Sequence, residues 1–88
     1  MKNTGKSDFE NAVVAAKSLR NRPGDEDMLL LYALYKQGTS GDVNVPKPGF
    51  FDFVGVAKFE AWEKMRGTSR DDAKSQYVAL VRKLGGAM

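Results

Sequence analysis

An all-helical fold is indicated first by the segment DEDMLLLYALYKQGTSG, residues 25–41. Its apolar side chains recur at steps of three and four, which is the period of one face of an α-helix. They are Met28, Leu31, Tyr32 and Tyr35, flanked by Leu29, Leu30 and Leu34. The acidic triplet 25–27 stands where the positive end of the helix dipole favours acids. We therefore predict a helix that begins at Asp25 and ends between Thr39 and Gly41.

A second helical pattern precedes this segment. Ser7 and Glu10 stand three apart, as in a capping box, at the start of an apolar stripe with helical spacing. The stripe consists of Phe9, Ala12, Val13, Ala16 and Leu19. Because proline and glycine disfavour a continuing helix, we expect this helix to end in the segment 21–24, Asn-Arg-Pro-Gly.

The longest irregular stretch covers residues 41–51, where two prolines and a glycine prevent a regular helix. Three aromatic side chains close this connection, and we expect them to anchor it to the core. They are Phe50, Phe51 and Phe53.

Two further helices are predicted after this connection. Asp52 is the expected N-cap of a third helix reaching about Arg66, with three side chains facing inward: Ala57, Trp62 and Met65. Thr68 or Ser69 is expected to cap a fourth helix, which the glycine pair 85–86 ends. Its inner stripe consists of Ala73, Tyr77, Leu80, Val81 and Leu84. The patterns thus predict an all-α fold of four helices, and periodicity alone leaves their threading open.

The composition limits the functions available to the chain. Its 88 residues include neither cysteine nor histidine, which removes disulfides, the usual zinc ligands and the usual general base. We therefore expect no metal site, no cofactor and no catalysis. Residues 1–10 lack the apolar core of a signal peptide, and no apolar run approaches the ~20 residues of a membrane span. These features predict a cytoplasmic protein without stable membrane insertion.

The chemistry of the second predicted helix changes along one face. Met28 is apolar and adaptable, Tyr32 and Tyr35 combine flat rings with polar tips, and Lys36 carries a charge. Such a gradient suits an amphipathic ligand whose phosphate lies toward Lys36. A formal net charge of +3 also suits a phosphorylated ligand, or weak contact with anionic lipid. Spacing alone equally allows that the two tyrosines are boundary residues and Lys36 a helix-end charge.

Two segments carry a family resemblance: DMLLLYALYKQGTSGDVN and PKPGFFDFVGVAKFEAWEKMRGTSRDDAKSQYV, residues 27–44 and 46–78. They resemble the acyl-CoA-binding protein family, and the similarity extends over about residues 9–84 without a detectable gap. The matching positions include Tyr32, Tyr35, Lys36, Gln37, Thr39, Gly41, Asp42, Pro48, Gly49, Asp52, Phe53, Ala57, Lys58, Ala61, Trp62, Gly67, Thr68, Ser69, Asp72, Ala73 and Tyr77.

The resemblance implies a single domain over residues 1–88, folded as a monomeric four-helix bundle with up-down-down-up threading. It implies binding, buffering and transport of medium- to long-chain acyl-CoA. Tyr32, Lys36 and Lys58 would hold the 3'-phosphate of the CoA head, and Tyr35 would stack on the adenine. Further head-group contacts would come from Lys17 and Tyr77, and the acyl chain would be lined by Phe9, Val13, Met28 and Leu29.

The chain also departs from the family pattern. Val54 and Val56 replace residues that are commonly lysines, so any head-group contact made by those lysines is absent here. Arg22 stands where lysine is usual, and Phe59 where tryptophan is common. Gly38 replaces a common alanine, and we expect it to fray the end of the second helix, since glycine costs ~1 kcal/mol against alanine.

Three other functions are less consistent with the sequence. An apolar groove of this kind could instead receive a helix of a partner protein, which makes an interaction module the main alternative. An acid–base enzyme would need paired carboxylates such as Glu60 and Glu63, but their spacing beside Lys64 favours a solvated helix face. Nucleic-acid binding is not expected, because the positive charge is small and acidic residues occur in every helix.

Overall fold

The computed structural model describes residues 7–87; the first six residues and Met88 of the predicted 1–88 domain lie outside the described part. It contains four helices: α1 (Asp8–Ala16), α2 (Asp25–Ser40), α3 (Phe53–Glu63) and α4 (Arg70–Lys83). No strand occurs within residues 7–87. The chain is an all-α, up-down-down-up four-helix bundle, which confirms the predicted fold class.

The predicted N-terminal caps are confirmed. The Ser7 hydroxyl accepts from the backbone N–H of Glu10, whose carboxylate accepts from the backbone N–H of Ser7, so the capping box is complete. Asp52 caps α3 through the N–H of Gly55, and Ser69 caps α4 through the N–H of Asp72. These local side-chain acceptors satisfy N–H groups that have no partner within the helix.

Two helix ends were predicted too late in the chain. α1 ends at Ala16 rather than in the segment 21–24, because the N–H groups of Lys17 and Ser18 bond to carbonyls three residues back. α3 ends at Glu63 rather than near Arg66 for the same reason, as the i to i−3 bonds of residues 65 and 66 show. This tighter pattern is a common way for an α-helix to end.

The core is formed where α2 and α1 pack against α4, and α3 covers another side of α2. Leu34 of α2 and Val81 of α4 are among the largest fully buried side chains. Gly38 does not fray α2: the helix continues to Ser40, and Gly38 is buried against α4. A Cβ atom at residue 38 would lie 3.0 Å from Cγ of Lys74, so the missing side chain permits this close approach.

The expectation that phenylalanines anchor the long connection is wrong. Phe50, Phe51 and Phe53 are 76%, 82% and 75% exposed. Polar contacts hold the connection instead. The indole N–H of Trp62 donates to the carbonyl of Gly41 at 2.8 Å, and Asp42 accepts from the Gln37 amide and the Gly67 N–H. Lys47 and Glu60 add a salt bridge of 3.0 Å.

Candidate functional site

A groove of about 960 Å³, partly open to solvent, is lined by residues of all four helices and of the α1–α2 connection. We call it the groove. Eight of the ten side chains predicted for the site line it: Val13, Lys17, Met28, Leu29, Tyr32, Tyr35, Lys58 and Tyr77. Phe9 and Lys36 do not belong to its lining. The bundle therefore brings most of the predicted site together from segments that are distant in sequence.

Most of the groove wall is apolar. Val13 of α1, Met28 and Leu29 of α2, and Val54 and Ala57 of α3 all line it. Such a wall excludes water from a hydrocarbon chain, and burial of apolar surface contributes about 25 cal/mol per Å². This part of the groove can therefore hold an alkyl chain.

Three cations border the same space. Lys17 and Arg22 come from the end of α1 and the following connection, and Lys58 comes from α3. Asp25 lies nearby, with a carboxylate oxygen 3.8 Å from a guanidinium nitrogen of Arg22. Among the lining side chains of the described residues the cations thus outnumber the acid, which favours an anionic group in the groove.

Tyr32 and Lys58 face each other across the α2–α3 junction. The Lys58 ammonium lies 5.3 Å from the centroid of the Tyr32 ring. That geometry is a cation–π contact, and it keeps a positive charge beside a phenol hydroxyl. An anionic oxygen placed between them could accept from both donors.

Three aromatic rings form a cluster at the α1–α2–α4 contact. Phe9 lies 6.0 Å from Tyr35 in a stacked arrangement and 5.2 Å from Tyr77 edge to face. Burial, together with the neighbouring Tyr35, raises the pKa of Tyr77, so its phenol stays protonated at neutral pH and can donate. Phe9 packs against Tyr35 and Tyr77, which line the groove, but does not line it itself.

Lys36 projects toward a different neighbour. Its ammonium lies 4.9 Å from the centroid of the buried Trp62 ring on α3. Because Trp62 also donates to the Gly41 carbonyl, it is packed as the structural residue that the sequence indicates. Only the tertiary packing of α2 on α3 places the Lys36 charge over this ring.

Sequence reasoning missed several lining residues, among them Arg22, Phe53, Val54 and Ala57. A signal for the last two was present in the helical spacing, since Val54 lies three residues before Ala57 and four residues before Lys58. Val54 forms part of the apolar wall of the groove. Val56 is outside the groove lining, so the two valines differ in their relation to the site.

The described residues offer little for the rival functions. Glu60 is engaged by Lys47, which disfavours an acid–base pair with Glu63. Within residues 7–87 no three acidic side chains come close enough to hold a metal ion. None of the four helices in that part of the chain has the length and hydropathy of a membrane-spanning segment.

The chain is similar to known proteins in both sequence and structure. Residues 6–81 match the family model of acyl CoA binding protein. Acyl-CoA-binding protein homolog 1 of Caenorhabditis elegans is 47% identical over 86% of this chain and 88% of its own length. Enoyl-CoA delta isomerase 2 of Rattus norvegicus is 48% identical, but the matched region covers 91% of this chain and only 20% of that enzyme. The crystal structure of acyl-CoA-binding protein 2 of Oryza sativa has a TM-score of 0.84 at 39% identity, covering 88% of this chain and 86% of that one.

Proposed function

This chain belongs to the acyl-CoA binding protein family, and we propose that it binds medium- to long-chain fatty acyl-CoA esters without reacting with them. Binding would buffer these esters and carry them within the cell. The observation that carries this proposal is the groove itself, which combines an apolar wall with bordering cations and tyrosines. A fatty acyl-CoA has the same division, because its acyl chain is hydrocarbon and its head is anionic.

We assign the CoA head to the cationic and aromatic side chains of α1, α2, α3 and α4. They are Lys17, Tyr32, Tyr35, Lys36, Lys58 and Tyr77. Lys58 and Tyr32 are already adjacent and can share the 3'-phosphate through charge-assisted hydrogen bonds. Tyr35 is 40% exposed, so its ring face is open to an adenine base.

Lys36 must leave Trp62 to join the phosphate. A cation–π contact contributes about 0.5–1 kcal/mol at an exposed site and about 2 kcal/mol when desolvated, and Trp62 is buried. A hydrogen bond to a charged group contributes about 1.5–3 kcal/mol, and an ammonium has three donors, so several such bonds to the phosphate would outweigh the contact with Trp62. Lys36 would therefore contact the CoA head group in the ligand-bound protein.

The acyl chain is assigned to the apolar wall. Val13, Met28 and Leu29 would contact it directly. Phe9 lies outside the groove lining and contacts Tyr35 and Tyr77, so its role would be to position these two head-group rings. A partner helix, the main alternative occupant, would gain nothing from Lys17 and Lys58 at the border of the groove unless it were acidic. The combination of cations and apolar wall therefore favours the thioester.

Binding of acyl-CoA without reaction also suggests how the whole chain is organised and where it acts. We propose that residues 1–88 form one acyl-CoA-binding domain, which acts as a monomer in the cytoplasm and is not an enzyme. Neither nucleic acid nor stable membrane insertion is part of this function. The larger isomerase relative in Rattus norvegicus shows that a related sequence also occurs within an enzyme.

Calorimetric titration with palmitoyl-CoA, free CoA and palmitate tests the proposal. We expect palmitoyl-CoA to bind much more tightly than either fragment, because only the thioester occupies both parts of the groove. Equal affinity for palmitate and palmitoyl-CoA would rule out a head-group site. Equal affinity for free CoA and palmitoyl-CoA would rule out an acyl-chain site.

A further inference from the structure

A turn at the end of the α2–α3 connection exposes two adjacent phenylalanines. The N–H of Asp52 donates to the carbonyl of Gly49 at 2.8 Å, which closes a β-turn with Phe50 and Phe51 at its central positions. We call residues 49–52 the phenylalanine turn. The two rings contact each other edge to face at 4.7 Å and are 76% and 82% exposed. Polar and small residues normally occupy such positions, so this turn presents apolar surface that the fold does not use.

The exposed surface continues from the turn to the groove. Phe53 and Val54 at the start of α3 are 75% and 66% exposed and also line the groove. Val54 thus extends the apolar surface of the turn into the groove wall. An exposed apolar patch beside polar residues marks an interaction surface.

The charges around this patch favour an anionic partner. Lys17, Arg22 and Lys58 line the groove together with Phe53 and Val54. Asp25 also lines it and pairs with Arg22 at 3.8 Å, so the charged lining side chains carry a net positive charge. Two nearby acids are engaged, since Glu60 is paired with Lys47 and the Asp52 carboxylate caps α3. Aromatic side chains next to lysine and arginine are the combination that binds the head-group region of anionic membranes.

The size and shape of the patch disfavour a second copy of the chain. Three phenylalanine rings offer roughly 450–750 Å² of contact surface, whereas each partner of a stable dimer contributes ~800 Å². The rings of Phe50 and Phe51 also stand at the tip of a two-residue turn and are more than three-quarters exposed. A bilayer requires no shape complementarity, because its head-group region adapts to an inserted ring.

We propose that the phenylalanine turn, with Phe53 and Val54, docks on the surface of an anionic lipid bilayer. Phe50 and Phe51 enter the boundary between head groups and acyl chains, and the groove then opens toward the membrane. That this contact serves the exchange of acyl chains rests on the proposed function. The docking itself does not, since the ligand-free protein carries all of the residues involved.

Co-sedimentation of the ligand-free protein with vesicles tests this docking. The vesicles are phosphatidylcholine alone and phosphatidylcholine with phosphatidylserine. We expect binding to the anionic vesicles, and Phe50→Ala combined with Phe51→Ala should weaken it at least about 10-fold. Val14→Ala is the matched control, because Val14 is 53% exposed but lies outside the groove. It should bind as the wild type does.

Three results would overturn the docking proposal: no binding of the wild type to anionic vesicles, equal binding by the double variant, or an equal loss in Val14→Ala. Sedimentation velocity without vesicles adds a fourth, since a dimer that the double variant abolishes would assign the turn to a second copy. Titration with palmitoyl-CoA in the absence of vesicles separates this proposal from the proposed function. Intact acyl-CoA binding without vesicle binding overturns the docking alone, and the reverse result overturns the proposed function alone.

Discussion

Lys36 and Lys58 lie on neighbouring helices, and each ammonium rests near an aromatic ring. Lys58 is beside Tyr32 within the groove, whereas Lys36 is over Trp62 outside the groove lining. A ligand phosphate can engage Lys58 where it stands, but it must draw Lys36 away from its ring. Both lysines should therefore bind the ligand phosphate, but the net contribution of Lys36 should be smaller because it gives up its contact with Trp62.

At the scale of single residues, we predict that Lys58→Ala weakens palmitoyl-CoA binding by ~30- to 1000-fold, since losing a charged hydrogen bond costs ~2–4 kcal/mol. Lys36→Ala should fall toward the lower end of this range, because the wild type gives up its contact with Trp62 on binding. Calorimetry gives both affinities. Neither change should unfold the protein, since both lysines lie at the surface of the bundle and make no salt bridge within residues 7–87.

The control for this prediction is 3'-dephospho palmitoyl-CoA. Wild type should lose affinity when the phosphate is removed, while each lysine variant should lose much less. If removal of the phosphate lowered the affinity of wild type and of both lysine variants by the same factor, the lysines would act independently of that phosphate. The assignment of the two lysines to the 3'-phosphate would then be wrong.

At the scale of elements, Asp42 connects the end of α2 to the α3–α4 turn. Its carboxylate accepts from the Gln37 amide at 2.8 Å and from the Gly67 N–H at 2.9 Å. The Gln37 amide also donates to the Thr68 carbonyl at 2.8 Å. The hydrogen bond from Gly67, followed by that from Gln37, lowers the pKa of Asp42.

This lowered pKa predicts an acid-sensitive contribution to folding. The unfolded state takes up a proton at Asp42 near pH 3.8 and the folded state only at lower pH, so stability is lost as the pH falls below that value. Asp42→Asn retains oxygen and shape but cannot titrate. Urea unfolding between about pH 5 and pH 2 should show a shallower loss of stability in this variant than in wild type.

Glu63→Gln is the charge-matched control for this experiment, because it removes one negative charge from an exposed position on α3. A loss of stability with the same slope in wild type and Asp42→Asn would mean that the carboxylate does not couple to folding. The same change in slope in both variants would assign the effect to net charge instead.

At the scale of the whole molecule, the groove exists only because four helices and a connection meet around it. Its apolar wall comes from α1, α2 and α3, and Tyr77 comes from α4. The wall is partly open, so a long chain has room to leave it. Affinity should therefore increase with acyl-chain length up to a limit.

We predict that affinity rises from butyryl-CoA to longer esters and then levels off. Each buried methylene contributes up to ~0.8 kcal/mol, so four carbons contribute up to ~3 kcal/mol before the cost of ordering the chain. Calorimetry over a series of chain lengths measures this. Equal affinities for butyryl-CoA and palmitoyl-CoA would show that the tail remains in water.

We also predict that the whole protein does not hydrolyse the thioester. The chain has no cysteine or histidine, and Glu60 is held by Lys47. Incubation at high protein concentration with palmitoyl-CoA should release no thiol above the buffer rate. Release of CoA that scales with protein concentration would contradict a purely binding role.

The amino-acid sequence determined those features that depend on neighbours along the chain. Ser7, Asp52 and Ser69 cap helices as predicted, and the inward stripe of α4 is buried except for the partly exposed Leu84. These features are local, because caps and helical faces are set by residues within about four positions of each other. Eight of the ten predicted site residues line the groove. Helical periodicity could not predict this, because it carries no information on contacts between helices. The family resemblance did predict it, because members of a family share such contacts.

Only the tertiary structure decided how distant segments meet. Trp62 rather than the phenylalanines secures the long connection, because its indole reaches the Gly41 carbonyl across the α2–α3 contact. Lys36 lies over Trp62, and Arg22 joins the groove, through packing of elements far apart in sequence. Hydrophobicity alone predicted burial for Phe50 and Phe51, but the core is formed by residues of α1, α2 and α4, and the turn leaves both rings exposed to solvent.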